Sequence, residues 1–414
     1  MKKSLIALAA LSAIAGAAQA QSSVEVYGLI DMSYGTVKST GVKEDKLTST
    51  GGTNSANGTG TLNGTRLGFR GTEDLGGGTK AGFVMEYGVN LTAAEDPATA
   101  DAVKGQAMAN LRQGFVSLSN AKLGTVVAGT IYSPIDATSG SLAGAQAHGG
   151  TNWGTGAASL FKYGQNARAA NGIAYVSPTF AGLTAKVGTQ QAENVKVNGS
   201  AKTNGATIWA LDYAQGPVKA GYAYEKIKNA SVAAAAVGTV SAAGTATAAA
   251  APKFAFTGLI GSDNDNNIQI GSGAGASVNA DLTYNVFGGS YNFGFATVGL
   301  NEAKYKVQTN GNGTATSLVF GKFESTQDSV SFTVPVTATL SLGGAYTDGK
   351  LEADGAKLWD TKAYDLLAVY TLSKRTNVYL INGQTKFDKA SSNALTGAAS
   401  VKQTQTMVGV RHSF

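Results

Sequence analysis

The sequence predicts an all-β protein in which about sixteen antiparallel strands close into a transmembrane β-barrel, with short turns at one end and long loops at the other. Composition is the first observation behind this prediction: only 14% of the 414 residues are charged and 43% are hydrophobic. A soluble domain carries about 25% charged residues, so much of this surface is expected to face lipid. The other two observations are short segments of alternating hydrophobicity and connections that alternate in length.

The N-terminus has the pattern of a secretory signal peptide. Lys2 and Lys3 precede an apolar run at residues 5–14, and residues 18–20 (Ala-Gln-Ala) supply a small-residue cleavage site. The run is too short to span a bilayer, which disfavours the alternative of an N-terminal anchor. We therefore assign residues 1–20 to a signal peptide and residues 21–414 to the barrel domain.

Segments whose side chains alternate between apolar and polar recur along the mature chain. The predicted strands are residues 24–35, 64–71, 79–89, 111–119, 123–132, 172–177, 183–190, 206–214, 218–227, 280–291, 295–307, 328–334, 336–347, 361–372, 377–387 and 403–414. The predicted long connections are residues 36–63, 90–110, 133–171, 191–205, 228–279, 308–327, 348–360 and 388–402. Because long and short connections alternate, a barrel explains the chain better than a soluble sandwich does. Residues 228–279 are alanine-rich and are assigned to a low-complexity external loop.

The hairpin at residues 65–87 shows how the two faces are assigned. Arg66 and Arg70 share one phase of the first strand, and Phe69 lies on the opposite, apolar phase, because strand side chains alternate. Glu86, in the second strand, falls on the charged phase. We expect the charged phase to face water inside the barrel. Lysine at Phe69 should therefore destabilise the fold, and lysine at Gly68 should be much milder.

The end of the chain is predicted to close the barrel. Its last strand ends on Phe414, so it is available to pair with the first strand around Tyr27. Closure removes the unpaired edge that a bilayer does not tolerate. Many tyrosines lie toward segment ends, where aromatic girdles form at the lipid headgroups. These tyrosines are Tyr27, Tyr34, Tyr87, Tyr213, Tyr222, Tyr284, Tyr291, Tyr364, Tyr370 and Tyr379.

Catalytic and metal-binding patterns are weak throughout the sequence. The chain has no cysteine and only two histidines; His148 has no acid nearby in sequence, and His412 falls on the outward phase, which argues against a Ser-His-Asp triad. Residues 263–267 are rich in Asp and Asn but lack the Gly and terminal Glu of a calcium loop. The pI of 9.1 comes without a basic run, so nucleic acid is not an expected partner. We expect no catalytic residues, no metal and no cofactor.

Four stretches give the chain a resemblance to a known family. They are residues 26–31 (Val-Tyr-Gly-Leu-Ile-Asp), 66–76 (Arg-Leu-Gly-Phe-Arg-Gly-Thr-Glu-Asp-Leu-Gly), 372–376 (Leu-Ser-Lys-Arg-Thr) and 409–414 (Gly-Val-Arg-His-Ser-Phe). With these residues the chain resembles Gram-negative general porins of the beta-proteobacterial type. The resemblance implies a homotrimer of sixteen-stranded barrels in the cell outer membrane, surrounded by lipid and lipopolysaccharide, with short periplasmic turns. It also implies that residues 133–171 fold into the pore as a constricting loop and that the barrel assembly machinery reads Phe414.

The charge around the predicted constriction favours anions. The loop at 133–171 lacks the acidic Pro-Glu-Phe-Gly element of better-known porins, and Asp136 is its one acid. The predicted lining of the constriction is Arg66, Arg70, Glu86, Arg112, Asp136, Lys162 and Arg168. The resemblance places Arg112 in the basic wall, but its strand phase requires a bulge if its side chain faces water. Because Glu86 shares the phase of the arginines, it is the main counterweight to a net positive pore.

Three function classes follow from these patterns. A water-filled channel for passive diffusion of small hydrophilic solutes and ions, weakly anion-selective, fits best because charged residues face inward on several strands. A barrel adhesin would use the same long loops but would not need those inward charges. A barrel enzyme, such as a lipase or protease, would need a catalytic group that the sequence does not display. For the arginines, a purely structural role beside loop carboxylates remains an open alternative to a selectivity role.

Overall fold

The computed structural model describes residues 23–39, 42–49, 61–92, 108–134, 168–190, 195–197, 200–202, 205–234, 268–270, 277–309, 322–389 and 401–414. The predicted signal peptide at residues 1–20 lies outside these ranges, as do most residues of the predicted constricting loop. Among the described residues, no helix is long and apolar enough to cross a membrane.

The described residues form β-strands joined by turns. In chain order the strands are β1 (Ser23–Ser39), β2 (Val42–Thr48), β3 (Arg66–Gly76), β4 (Thr79–Val89), β5 (Met108–Asn120), β6 (Gly124–Tyr132), β7 (Arg168–Val176), β8 (Leu183–Gln190), β9 (Val195–Val197), β10 (Ser200–Lys202), β11 (Ala206–Gln215), β12 (Val218–Ala234), β13 (Ile268–Ile270), β14 (Ser277–Asn292), β15 (Thr297–Thr309), β16 (Lys322–Pro335), β17 (Leu340–Ala353), β18 (Ala356–Thr371), β19 (Thr376–Lys389) and β20 (Val401–Ser413). Two members of the 18-stranded sheet, β2 and β13, are short additions, which leaves sixteen strands in the barrel wall. Each predicted strand corresponds to one of these sixteen.

The barrel closes between its first and last strands. β20 pairs with β1 from Leu29 opposite Ser413 to Ser39 opposite Gln403. The backbones of Gly28 and Phe414 exchange hydrogen bonds of 3.2 and 3.1 Å, so the pairing extends to the last residue. The other edge of β1 pairs with β3. The predicted closure by the terminal strand is confirmed, and it satisfies the backbone groups that hydrocarbon would leave without partners.

One continuous face points into the barrel. The paired residues lead from strand to strand around the barrel and return to the same face of β1. Buried Asp31 and Glu86 lie on this inward face, whereas Phe69 and Met85 lie on the opposite face and are 37% and 43% exposed. The faces predicted for the first hairpin are therefore confirmed. A Cβ at Gly68 would meet the ring of Tyr27 at 2.4 Å, so lysine there requires Tyr27 to move, and the expected mild effect stays a prediction.

The predicted aromatic girdle needs a correction. Tyr34 and Tyr364 face outward, at 61% and 38% exposure, as predicted. Tyr284 and Tyr379 point inward and are buried, and the hydroxyl of inward-facing Tyr27 contacts Glu86. Position near a strand end does not decide the direction of a side chain; its parity relative to the neighbouring residues does.

Several predicted loops begin or end inside strands. β17 and β18 run through most of the predicted loop at 348–360 and meet at a tight turn, where Asp354 and Gly355 have φ of 47° and 82°. β12 continues to Ala234 and β14 starts at Ser277, so both ends of the predicted loop at 228–279 are strand. β7 begins at Arg168, inside the predicted loop at 133–171, and residues 135–167 lie outside the described ranges.

Candidate functional site

A compact charged cluster lies on the inward face where β3, β4 and β5 reach the loop end of the barrel. Arg66 is the first residue of β3, and Glu86 and Arg112 face each other on the neighbouring strands. The Arg112 Nε donates a hydrogen bond of 2.8 Å to Glu86 Oε1, and Arg66 Nη1 lies 3.8 Å from the same oxygen. Glu86 is only 3% exposed. Burial of this carboxylate is compatible with the fold because two arginines contact it.

A β-bulge turns Arg112 inward. Glu86 pairs with Gln113, but Tyr87 pairs with Leu111, so Arg112 is the extra residue of β5. Bulges of this kind redirect one side chain without breaking the sheet. The guanidinium of Arg112 also donates from Nη2 to the hydroxyl of Tyr132 at 2.7 Å. The bulge that the sequence required for a water-facing Arg112 is therefore present.

Arg70 belongs to a separate pair, closer to the short turn of the hairpin. Its guanidinium donates two hydrogen bonds, of 2.8 and 2.9 Å, to the carboxylate of Glu25. It also lies 5.0 Å from the centre of the Tyr27 ring, and the Tyr27 hydroxyl donates to Glu86 at 3.2 Å. Both side chains of the Arg70–Glu25 pair are more than half exposed. Arg70 is thus neutralised locally, whereas Arg66 and Arg112 share one carboxylate.

The structure describes only some of the other residues that the sequence predicts to line the pore. Arg168 starts β7 and stands opposite Tyr132 in the register, next to the strand that supplies the hydrogen-bond partner of Arg112. Asp136, Lys162 and His148 lie outside the described residues. His412 faces outward, and its Nδ1 lies 2.9 Å from the Thr376 hydroxyl. In the described part of the chain, no group of three or more metal-ligating side chains comes together.

A second inward cluster was not found by sequence reasoning. The backbone N–H of Asn63 donates to Asp31 Oδ2 at 2.7 Å, and Arg411 Nη1 donates to Asn63 Oδ1 at 2.8 Å. The Tyr379 hydroxyl donates to Asp31 Oδ1. Thr65 exchanges two bonds of 3.0 Å with the backbone of Asp31. The available signal was the acid at an inward position of the first strand, opposite an arginine of the last.

Comparison with known proteins agrees with this architecture. The sequence profile of the family described as Gram-negative porin matches residues 7–323. The chain belongs to the Gram-negative porin family. It is an outer-membrane β-barrel that forms a channel for passive diffusion.

Individual relatives cover the whole chain. Outer membrane porin protein 32 of Delftia acidovorans is 29% identical over 435 aligned positions, covering 100% of both chains. The structure is similar to an anion-selective porin from Comamonas acidovorans, with a TM-score of 0.63 and 22% identity over 95% of this chain and 100% of that one. The trimer form of OmpT from Vibrio cholerae has a TM-score of 0.59 at 14% identity, covering 95% of this chain and 99% of that one. At these identities the structural matches show the shared barrel fold.

Proposed function

We propose that this porin is a weakly anion-selective channel for small hydrophilic solutes and ions, and that Arg66, Glu86 and Arg112 form its selectivity cluster. The observation that carries the proposal is the charge of this cluster, in which two inward guanidinium groups share one buried carboxylate. The three side chains of the cluster together carry a net charge of +1. Fixed cationic side chains at a constriction attract anions directly.

The geometry favours a fixed rather than a mobile charge. Arg112 is held by both Glu86 and Tyr132, and Arg66 Nε donates to the backbone oxygen of Gly64 at 2.9 Å. A guanidinium bound in this way keeps its position as ions pass. Because the charge still borders water, salt screens it over about 10 Å at 0.1 M ionic strength. We therefore expect the anion preference to be weak and to fade as salt rises.

The proposal extends to groups that the structure describes partly or not at all. We assign Asp136 and Lys162 to the lining on the basis of their place in the connection between β6 and β7, and Arg168 on the basis of its place at the start of β7. We propose a homotrimer in outer-membrane lipid and lipopolysaccharide, supported by the trimer form among the similar structures. A signal peptide at residues 1–20 fits a chain routed to that membrane. No catalytic role is proposed.

Reversal potential in a potassium chloride gradient tests the selectivity proposal. The wild type should prefer chloride, and Arg66→Ala with Arg112→Ala should shift the reversal potential toward potassium. Glu86→Gln should shift it the other way because the counter-charge is removed. Arg70→Ala combined with Glu25→Ala is the matched control, since it removes a neutral pair and leaves the net charge of the lumen unchanged. A potassium-selective wild type, or a double variant without a shift, contradicts the proposal.

Assembly provides a separate test. We propose that the barrel assembly machinery recognises Phe414, which is 45% exposed on the outward face and whose backbone bonds complete the closure with Gly28. Deleting Phe414 should leave export intact but strand the chain in the periplasm. The readout is the amount of folded, heat-modifiable barrel in outer-membrane fractions. A normal amount would show that Phe414 is dispensable.

A further inference from the structure

Residues 61–65, here named the inner segment, leave the wall of the barrel and lie inside it. Leu62 is completely buried. It packs against an apolar patch on the inward faces of β18, β19 and β20, which comprises Leu367, Val369, Tyr379, Ile381 and Met407. An apolar patch is unexpected on the wall of a water-filled lumen. Leu62 covers this patch and so removes apolar surface from water.

Polar contacts anchor the inner segment on either side of Leu62. Asn63 is bound through its backbone to Asp31 and through its side chain to Arg411. Thr65 is bound to the backbone of Asp31 and accepts a hydrogen bond of 3.0 Å from the Ser49 hydroxyl. Asp31 itself is fully buried, so these hydrogen bonds are made away from bulk water. The segment is therefore held to both strands that close the barrel.

The inner segment leads directly into the selectivity cluster. The carbonyl of Gly64 accepts the hydrogen bond from Arg66 Nε at 2.9 Å. The carbonyl of Thr65 accepts a bond of 2.9 Å from the backbone N–H of Val89, at the end of β4. The inner segment thus bonds to the side chain of Arg66 and to Asp31, and it links Asp31 to the selectivity cluster.

We propose that the inner segment is a second constricting element of the channel, and that Asp31 and Arg411 are positioning residues that hold it closed. It fills the lumen beside β18–β20 and confines ions to the side lined by β3–β6. It also fixes the direction of Arg66. This inference rests on the proposed selectivity function but uses contacts outside the selectivity cluster.

Cysteine accessibility tests the closed position directly, because the chain has no native cysteine. Leu62→Cys places a thiol on the buried side of the inner segment. Thr72→Cys is the matched control, because Thr72 is an inward and exposed residue of β3. The anionic reagent sulfonatoethyl methanethiosulfonate is added to channels in a planar bilayer. We expect Thr72→Cys to react readily and Leu62→Cys to react about 100-fold more slowly or not at all. Equal rates at the two positions would overturn the proposal.

Variants that release the inner segment test the role of Asp31 and Asn63 as its anchors. In the Leu62→Cys background, Asp31→Ala or Asn63→Ala should raise the modification rate at least about tenfold. In the native background the same anchor variants should raise single-channel conductance and lower the chloride preference. If Asp31→Ala gives no heat-modifiable barrel, Asn63→Ala is the deciding variant, because it keeps the backbone bond to Asp31 and loses the side-chain bond from Arg411. Folded anchor variants with unchanged conductance and permeability ratio would show that the segment only stabilises the barrel.

The two proposals fail in different ways. A wild type without chloride preference, combined with a protected Leu62→Cys and an increased conductance of Asp31→Ala, removes the selectivity function and keeps the second constriction. A chloride-selective wild type with a freely reactive Leu62→Cys removes the second constriction and keeps the selectivity cluster.

Discussion

The wall formed by β3–β6 and the wall formed by β14–β18 place most of their charges on opposite faces. In β3–β6, Glu86 and Arg112 point inward, and the outward side chains Phe69 and Met85 are apolar. In β14–β18 many inward side chains are buried, apolar ones such as Val307 and also polar or charged ones such as Gln327 and Asp365. The inward face of β3–β6 therefore lines a water path with charged side chains, whereas the inward face of β14–β18 is largely buried.

On the outward face of the β14–β18 wall, charged residues lie closer to the loop end than the aromatic residues do. Tyr346 and Tyr364 are cross-strand neighbours, and the next outward pair toward the loops is Asp348 with Lys362. One outward row follows the register through Glu302, Asp328, Asp348, Lys362 and Lys386. Charges at this level are compatible with a membrane protein only if they stand above the hydrocarbon.

Strand length differs between the two walls. The strands β3, β4, β5 and β6 have 11, 11, 13 and 9 residues, whereas β14 to β18 have 16, 13, 14, 14 and 16. About 9 to 11 tilted residues span a bilayer. From Lys362 to its start at Ala356, β18 adds about 15 Å of height at about 3.3 Å per residue and a tilt of about 40°. In these two walls, the inward charges of the selectivity cluster line the proposed ion path, and the outward row from Glu302 to Lys386 lies on the part of the wall above the membrane.

The largest effect is expected from a charge placed in the packed interior. Val307→Asp on β15 should destabilise the barrel by about 3 to 5 kcal/mol, because an uncompensated carboxylate is buried. Val84→Asp makes the same exchange on the inward face of β4, where the site is only half-buried, and should cost less. The measurement is the free energy of unfolding in guanidinium chloride for detergent-folded protein. Similar losses of unfolding free energy at Val307 and Val84 would mean that the inward faces of β15 and β4 do not differ in burial.

A smaller effect is expected from a charge placed on the outward, apolar face of β3. Phe69→Lys, within the apolar outward band, is expected to destabilise by about 2 to 4 kcal/mol. Thr72→Lys, inward and exposed on the same strand, should change stability by less than about 1 kcal/mol. Thr72 replaces Gly68 as the control because Tyr27 occupies the space beside Gly68. The same denaturation measurement applies, and equal losses would reverse the assignment of faces on β3.

The smallest effect is expected above the membrane. Asp348→Asn removes one member of an exposed cross-strand pair with Lys362 and should cost at most about 1 kcal/mol. If the pair stands in water, the loss should shrink as salt is raised. A double-mutant cycle with Lys362→Asn gives the coupling energy. A loss of several kcal/mol that is insensitive to salt would place Asp348 within the hydrocarbon.

The number of wall strands, their faces and the closure by the last strand could be predicted from sequence. These features depend on local alternation, which has a period of two residues regardless of what the strand pairs with. The need for a bulge at Arg112 could also be predicted, because the parity of β5 conflicted with an inward arginine. Prediction failed at residues 348–360, because the exposed charged residues Asp348 and Lys350 and the turn residues Asp354 and Gly355 made the ends of β17 and β18 resemble a loop.

The sequence by itself determined that this chain is a barrel with arginines on its inner wall. Only the tertiary structure decided which groups those arginines meet. Glu86 and Arg112 are 26 residues apart, and Asp31 and Tyr379 are 348 residues apart. Barrel closure brings such residues together, because the cross-strand register sets which side chains become neighbours, and no local pattern encodes that register across the whole chain. The inward turn of Tyr379 and the placement of residues 61–65 inside the lumen follow from the same closure.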